Sequence, residues 1–480
     1  MPRLKYGSLI RVVVILCLFF LWLQIMLSAS SGGMYREELM NGNDTSEQVL
    51  ALVPQELHKY LAVHPRNNSL NATERVGPKN ITEIHRTILK YNDAQIIYNE
   101  DIFGPVQNDT IIIAIQVSQI VYLSKLSLAQ ARDIDKTLLI FSHDYYDEEI
   151  NTLVRSIDFT KVMQIFYPYS IQTHPNEFPG MDPNDCPRDA KFDQAVKLKC
   201  NNAHHPDLHG HYREAKYTQT KHHWWWKANR IFNQLQCTTH HTGMVVFLEE
   251  DHYVAADFIH MLRLLRDTAD NKCPQCEILS LGTYLKTYQY HANSDKRKKH
   301  LTLNYIQQVK AANEERRKHQ DFTSWNFQVY PNLYSNVQKV EITPWHSSMH
   351  NMGFAFNRTV WSNVMELQSQ FCAYDDYNWD YSLLHLSQNR PGRDKFKVIL
   401  CKGPRVFHIG ECGIHHKKSN CNASTVISKV QKLLKNAKQY MFPSRVTATV
   451  TSGGPKHNKK LTKGNGGWGD IRIYLQMKSI

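Results

Sequence analysis

The stretch Met244-Val-Val-Phe-Leu-Glu249-Glu250-Asp251-His252-Tyr253 decides how the chain is read. Its apolar half, rich in β-branched and aromatic side chains, predicts a buried strand that runs straight into three carboxylates. Sheets of α/β proteins collect their ligands at such strand ends. Three adjacent anions repel one another and call for a cation; oxygen donors of this kind suit Mg²⁺ or Mn²⁺ carried in with a diphosphate. A solvated acidic loop is the other reading of the same residues.

Working outward, continuous apolar runs over 110–117, 137–141 and 162–167 predict three more buried strands, with helical segments over 122–131 and 148–156 between them. On the other side, Phe258, Met261, Leu262, Leu264 and Leu265 have helical spacing, and 277–282 reads as a further strand. Such alternation predicts an α/β fold with a mixed, mostly parallel sheet covered by helices. Residues 219–235 read as another helix. Trp224, Trp225 and Trp226 cannot all face one side of it, so at least one should meet a neighbour across a loop or line a pocket. Lys221, His222 and His223 there could donate to phosphate, or simply edge a packed helix.

Three further clusters carry chemistry. In Tyr374-Asp375-Asp376-Tyr377-Asn378-Trp379-Asp380-Tyr381 carboxylates alternate with aromatics, as a sugar site requires; one acid could be a general base, or the acids could cap the helix that follows. His408 ends a short strand and could supply a neutral metal ligand, although a lone His is more often just packed. Asn465-Gly-Gly-Trp-Gly-Asp470 is a glycine-rich turn with a weak phosphate-loop character.

The 480 residues, 42% hydrophobic and 21% charged, can bury a sizeable core. A formal charge of +13 raises nucleic acid as a partner. The basic residues are scattered, however, with short runs at 296–299, 316–318 and 459–460 and no accompanying motif, so nucleic acid is not expected. Residues 9–28 are long and apolar enough for one membrane span. Arg3 and Lys5 precede the span and Glu37 and Glu38 follow it, giving a cytoplasmic tail at 1–8 and a lumenal remainder. A cleaved signal peptide ending near Ser28-Ala29-Ser30 is the rival. Residues 29–91 read as a stem and 92–480 as the catalytic body, with a polar insertion at 284–340.

Sequons at Asn43, Asn67, Asn71, Asn80, Asn108, Asn357 and Asn422 suit a lumenal body. Oxidising surroundings should pair most of the cysteines outside the anchor. Cys186 with Cys200 would close the proline-rich loop 175–187, Cys273 with Cys276 would form a local disulfide, and Cys372, Cys401, Cys412 and Cys421 are further disulfide candidates. Cys237 is the odd one, free or shared with a second copy in a homodimer.

Taken in order, Phe141-Ser-His-Asp144, Pro175-Asn-Glu-Phe-Pro-Gly180, His211-Tyr-Arg-Glu-Ala-Lys216, Gln219-Thr-Lys-His-His-Trp-Trp-Trp226, Phe247-Leu-Glu-Glu-Asp-His-Tyr253, Tyr374-Asp-Asp-Tyr-Asn-Trp-Asp380, Gly413-Ile-His-His-Lys-Lys418 and Asn465-Gly-Gly-Trp-Gly-Asp470 closely resemble the N-acetylglucosaminyltransferase II family. The resemblance implies a Golgi type II membrane enzyme with a GT-A-type, Rossmann-like nucleotide-sugar-binding domain. Mn²⁺ and UDP-GlcNAc would be its cofactor and donor, and an N-glycan its acceptor. By matching position it implies Asp251, His408 and Glu249 at the metal and Asp380 as base. Gln116, Val117, Ser118, Asp144, Gln219, Thr220, Lys221, His222, His223 and Glu250 would lie at the nucleotide sugar, and Trp379, Tyr377 and Tyr288 at the acceptor. Two places depart from the pattern. Residues 116–122 replace a family segment containing His, Asn and Arg, and Tyr288 stands where the family has an acceptor-contacting Arg. A weakly catalytic, lectin-like glycan binder and a β1,2-transferase for another mannose arm are the alternatives.

Overall fold

Strands buried on both faces should read as unbroken apolar runs, and those at the centre of this sheet do. The computed structural model describes residues 80–117, 122–282, 336–409, 423–451, 470 and 472. Its strands are β1 (Ile97–Tyr98), β2 (Ile111–Val117), β3 (Thr137–His143), β4 (Lys161–Phe166), β5 (Val245–Glu249), β6 (His252–Val254), β7 (Cys276–Ser280), β8 (Lys339–Pro344), β9 (Phe354–Phe356), β10 (Lys397–Cys401), β11 (Val406–His408) and β12 (Thr447–Val450). Among the described residues one ten-stranded sheet runs β1-β4-β3-β2-β5-β9-β7-β10-β8-β12, and β6 pairs with β11 in a separate ribbon. β4, β3, β2 and β5 are parallel; β9 enters antiparallel to β5 and β7. The expected mixed sheet is present.

The longer helices are α1 (Ile81–Ala94), α2 (Tyr122–Ala129), α3 (Glu148–Arg155), α4 (Ala215–Asn229), α5 (Phe258–Lys272), α6 (Arg358–Met365), α7 (Trp379–Gln388) and α8 (Ala423–Ala437). Successive side chains of β2, β3 and β5 feed opposite cores, the period-two rule at work. Ile112, Ala114, Leu138, Ile140, Val245 and Phe247 pack with Trp224 and Trp225 of α4, Trp361 of α6 and Trp379 of α7. Ile113, Ile115, Leu139, Phe141, Val246 and Leu248 pack with Leu153 and Val154 of α3 and Phe258, Met261, Leu262 and Leu265 of α5.

Several expectations need correction. The stem does not extend to residue 91: α1 begins at Ile81, inside the stretch 29–91, and runs on to Ala94 as part of the body. Its Ile88 is buried against Tyr146 and Phe166, and the Asn92 amide exchanges two hydrogen bonds with the backbone of Phe166, at 2.7 and 2.8 Å. Lys339 and Val340, assigned to the insertion, open β8, which pairs with β10 and β12. Cys186–Cys200 and Cys273–Cys276 are disulfides, as expected. Cys372 and Cys401 are thiols instead. They lie in different core clusters, on opposite faces of the sheet, and cannot bridge to each other. Burial pushes the Cys372 thiol up to about 11 and that of Cys401 to about 12. Cys237 is also a thiol. Cys412, Cys421, Asn43, Asn67, Asn71, Asn422, the expected anchor and the core of the insertion lie outside the described residues. Among the described residues no helix is long and apolar enough to cross a membrane.

The β6–β11 ribbon sits against the strand ends of the sheet because the chain packs closely there. Gly282 bridges to Val406, where an added Cβ would meet the Val406 carbonyl oxygen at 2.5 Å. Gly353, in the left-handed region at φ 55°, presses on the Val406 side chain. Below the ribbon the Arg405 guanidinium is buried. Its Nε and Nη2 lie 3.1 Å from the Asp257 carboxylate, and its Nη1 donates to the carbonyls of Val337 and Gly403. Removing one partner of a buried ion pair strands the other charge. Asp257→Ala is therefore expected to destabilise the protein by about 3–5 kcal/mol in urea unfolding; a loss under about 1 kcal/mol would show that the pair is dispensable.

Candidate donor and metal site

Helix α4 presents its functional side chains in two stripes, because residues four apart share a face and residues two apart nearly oppose each other. Gln219, His223 and Lys227 form the first stripe. Gln219 Nε2 donates to Asp144 at 3.1 Å, while its Oε1 accepts the Ile171 amide. His223 Nε2 lies 2.7 Å from Ser142 Oγ, and its Nδ1 is 3.8 Å from the Asp144 carboxylate. Lys227, buried, donates to Gln116 Oε1 at 2.9 Å. These contacts gather the carboxyl ends of β2 and β3 beneath one helix face. Burial lowers the Lys227 pKa, with Glu249 and Asp144 acting against it.

The acid-tipped strand ends beside them. Gln116 of β2 is in register with Glu249 of β5, and Glu250 and Asp251 form the turn into β6. The ligand atoms of Glu249, Asp251 and His252 lie within 4.8 Å of one another. Across the ribbon, His408 Nε2 is 3.1 Å from Asp251 Oδ2, while Asp251 Oδ1 is buried without a hydrogen-bond partner among the described residues. A buried orphan carboxylate oxygen beside an imidazole is a donor set that fits a divalent cation of the Mn²⁺ kind. Burial opposes ionisation of Asp251, but hydrogen bonding and charge from His408 outweigh it and bring its pKa down. Glu249 goes the other way, raised by burial and by the Asp251 charge. His252 accepts the Glu249 amide on Nδ1, and burial holds its pKa down at about 4, so its ring is neutral.

Asp380 lies in the first turn of α7, buried, with both oxygens held. Oδ1 accepts the Tyr381 amide and Oδ2 accepts Asn351 Nδ2, each at 2.9 Å. Burial pushes its pKa up to about 7, and the Asp376 charge adds to the rise. Its charge is also felt at Glu249, so the two acids share one electrostatic neighbourhood.

The second stripe of α4 corrects two assignments. Lys221, expected at the nucleotide, is fully buried and donates to the carbonyls of Tyr374 and Asp376, both at 3.1 Å. His222 is buried as well, near Arg213 and Lys221, and its pKa is pushed well down by burial. Thr220 is exposed. Trp379, expected at the acceptor, is a core residue: its ring stacks on Trp224 at 4.8 Å and on Phe354 at 5.1 Å. Tyr377 is partly exposed and faces Tyr217, with ring centres 5.7 Å apart. All three tryptophans of α4 are buried, and Trp226 meets Tyr167 just past β4. Ser118, Tyr288 and residues 413–418 fall outside the described residues. Lys227, His252 and Asn351 were not foreseen. Lys227 could have been, because it continues the spacing of Gln219 and His223. Asn351 gives no such signal in a polar segment.

With this geometry in hand, comparison with known proteins is specific. The family model described as N-acetylglucosaminyltransferase II (MGAT2) matches residues 85–302 and 300–474. The chain is similar to the rat protein named alpha-1,6-mannosyl-glycoprotein 2-beta-N-acetylglucosaminyltransferase, 38% identical over 412 residues, covering 85% of this chain and 83% of the relative. The human protein of that name is 39% identical over 409 residues, covering 83% and 80%. The one from Arabidopsis thaliana is 32% identical over 327 residues, covering 67% and 63%. Both the matched length and the identity carry the same conclusion: this chain is a member of the N-acetylglucosaminyltransferase II family.

Proposed function

We propose that this protein is an inverting glycosyltransferase that moves N-acetylglucosamine from UDP-GlcNAc, in β1,2 linkage, to the α1,6-arm mannose of an N-glycan. The observation that carries the reading is the convergence of Asp251 and His408 at 3.1 Å, with Asp380 in the electrostatic reach of the same strand end. Family membership supports the sugar, the linkage and the acceptor. We read the sheet as a GT-A-type, Rossmann-like catalytic domain in a Golgi type II protein anchored by residues 9–28.

Asp251 and His408, with Glu249, would hold Mn²⁺, which when bound neutralises charge on the departing UDP diphosphate. Asp144, Gln219 and His223 border the donor side and Gln116 and Val117 floor it. Asp380 accepts the proton of the mannose 2-hydroxyl as that oxygen bonds to the anomeric carbon. The bond from that carbon to UDP breaks on the opposite face, and its electron pair leaves with UDP. A single displacement inverts the centre with no covalent enzyme intermediate. Asn351 and the Tyr381 amide fix the carboxylate so that it meets the hydroxyl in one orientation.

The test is incubation of the full chain with UDP-GlcNAc, Mn²⁺ and an N-glycan bearing GlcNAc on its α1,3 arm only. A new β1,2-linked GlcNAc on the α1,6-arm mannose is expected. No transfer would remove the transferase reading in favour of glycan binding alone, and transfer to a different mannose would reassign the arm.

A further inference from the structure

The helix that borders the donor side also grips the loop leading to Asp380. On the stripe of α4 opposite Gln219 and His223, the Lys221 side chain is 0% exposed. Burying an ammonium is costly unless acceptors meet it. Here the carbonyl oxygens of Tyr374 and Asp376 do so at 3.1 Å each, and Nζ stands 5.0 Å from the centre of the Phe371 ring. The carboxylates of Asp375 and Asp376 add favourable charge.

What this loop does next gives the contact its meaning. Asp376 Oδ1 accepts the Asn378 amide at 2.8 Å, and Asn378 is the residue from which α7 starts. Asp380 lies two residues further on, in the first turn. On its other side the loop is held by Asp375, whose Oδ2 accepts the Leu208 amide at 2.7 Å. The covalent path from the lysine's anchor to the carboxylate is thus one short turn with its own internal hydrogen bond.

We propose that Lys221 is a positioning residue for the acceptor half of the reaction, anchoring the Tyr374–Asp376 loop to α4 and so fixing where Asp380 stands over the acceptor hydroxyl. The proposal rests on Asp380 acting as the base. It differs from a phosphate contact because the ammonium is spent on two carbonyls inside the core. One helix then sets both sides of the site, the donor border through Gln219 and His223 and the base through Lys221.

Lys221→Met keeps length and apolar bulk but removes the donors. In the full-length chain it is expected to lower kcat by about 10–100-fold, the scale of a displacement near 1 Å at a reacting group. UDP affinity in the presence of Mn²⁺ should be retained. Hydrogen exchange of backbone amides should quicken over 374–381 and stay unchanged over 245–254. Loss of UDP affinity with exchange over 374–381 unaltered would overturn the proposal and make Lys221 a phosphate ligand. Should the variant fail to fold, Asp376→Ala carries the test, since it cuts the Asn378 bond and leaves the lysine in place. A kcat equal to wild type in that variant would break the link from loop to base. The exchange comparison needs neither donor nor acceptor. An inactive wild-type protein would therefore sink the transfer reading while the exchange data still decided whether Lys221 holds the loop.

Discussion

Asp380→Asn is expected to lower kcat by about 10²–10⁴-fold, the usual contribution of a positioned general base. The amide keeps the shape and can still accept the Tyr381 N–H, so UDP binding should persist. Turnover close to wild type would remove Asp380 from the base role. The wild-type pH profile provides a second check. Burial raises the Asp380 pKa from 3.8 to about 7, and only the ionised form can take a proton. In the free enzyme kcat/KM should therefore rise with pH through about 7 and then level off. The same shift has a stability consequence of definite sign. Because the folded pKa is raised, the folded protein holds this proton where the unfolded chain has lost it. The associated stability is present below the unfolded value of 3.8 and is lost as pH rises through about 7. Asp380→Asn should therefore be no less stable than wild type at pH 8 in thermal melts, which separates a catalytic defect from a folding one.

The next largest effect is expected at Asp251. One of its oxygens faces the His408 imidazole and the other is buried with no side-chain partner among the described residues. Asp251→Ala should weaken Mn²⁺-dependent UDP binding by more than about 100-fold, the upper end of what removing even an outer partner of a metal ligand costs. Titration of UDP with and without Mn²⁺ reads this directly. An unchanged metal dependence would take Asp251 out of the ligand set. Glu249, whose carboxylate is raised by burial and by Asp251, should give a smaller loss when replaced by Gln.

Much of this was readable in the sequence because the sheet's centre is buried on both faces. The runs ending at Val117, His143, Phe166 and Glu249 are continuous and β-branched, and they fold as parallel strands. The short or polar strands were not readable. β9 has three residues and β12 is Thr-Ala-Thr-Val, so each is made by its neighbours in the sheet rather than by its own pattern. Asp251 and His408 could be named through the resemblance, but their meeting depends on the β6–β11 pairing, which is contact between distant parts of the chain. Lys221 was misplaced because a family motif says which residues recur together, whereas the side of α4 that each faces follows from 100° of rotation per residue. Trp379 opens α7, and its ring stacks on Trp224 and Phe354, contacts between distant parts of the chain.

The separation of the β6–β11 ribbon from the main sheet bears on how the protein is made. A growing chain that has emerged only as far as Cys401 already contains nine of the sheet's strands, everything but β12, yet it lacks the imidazole that faces Asp251. Acquisition of the cation would then wait for the segment that carries His408, and tight metal uptake would report that β11 has been made and paired with β6.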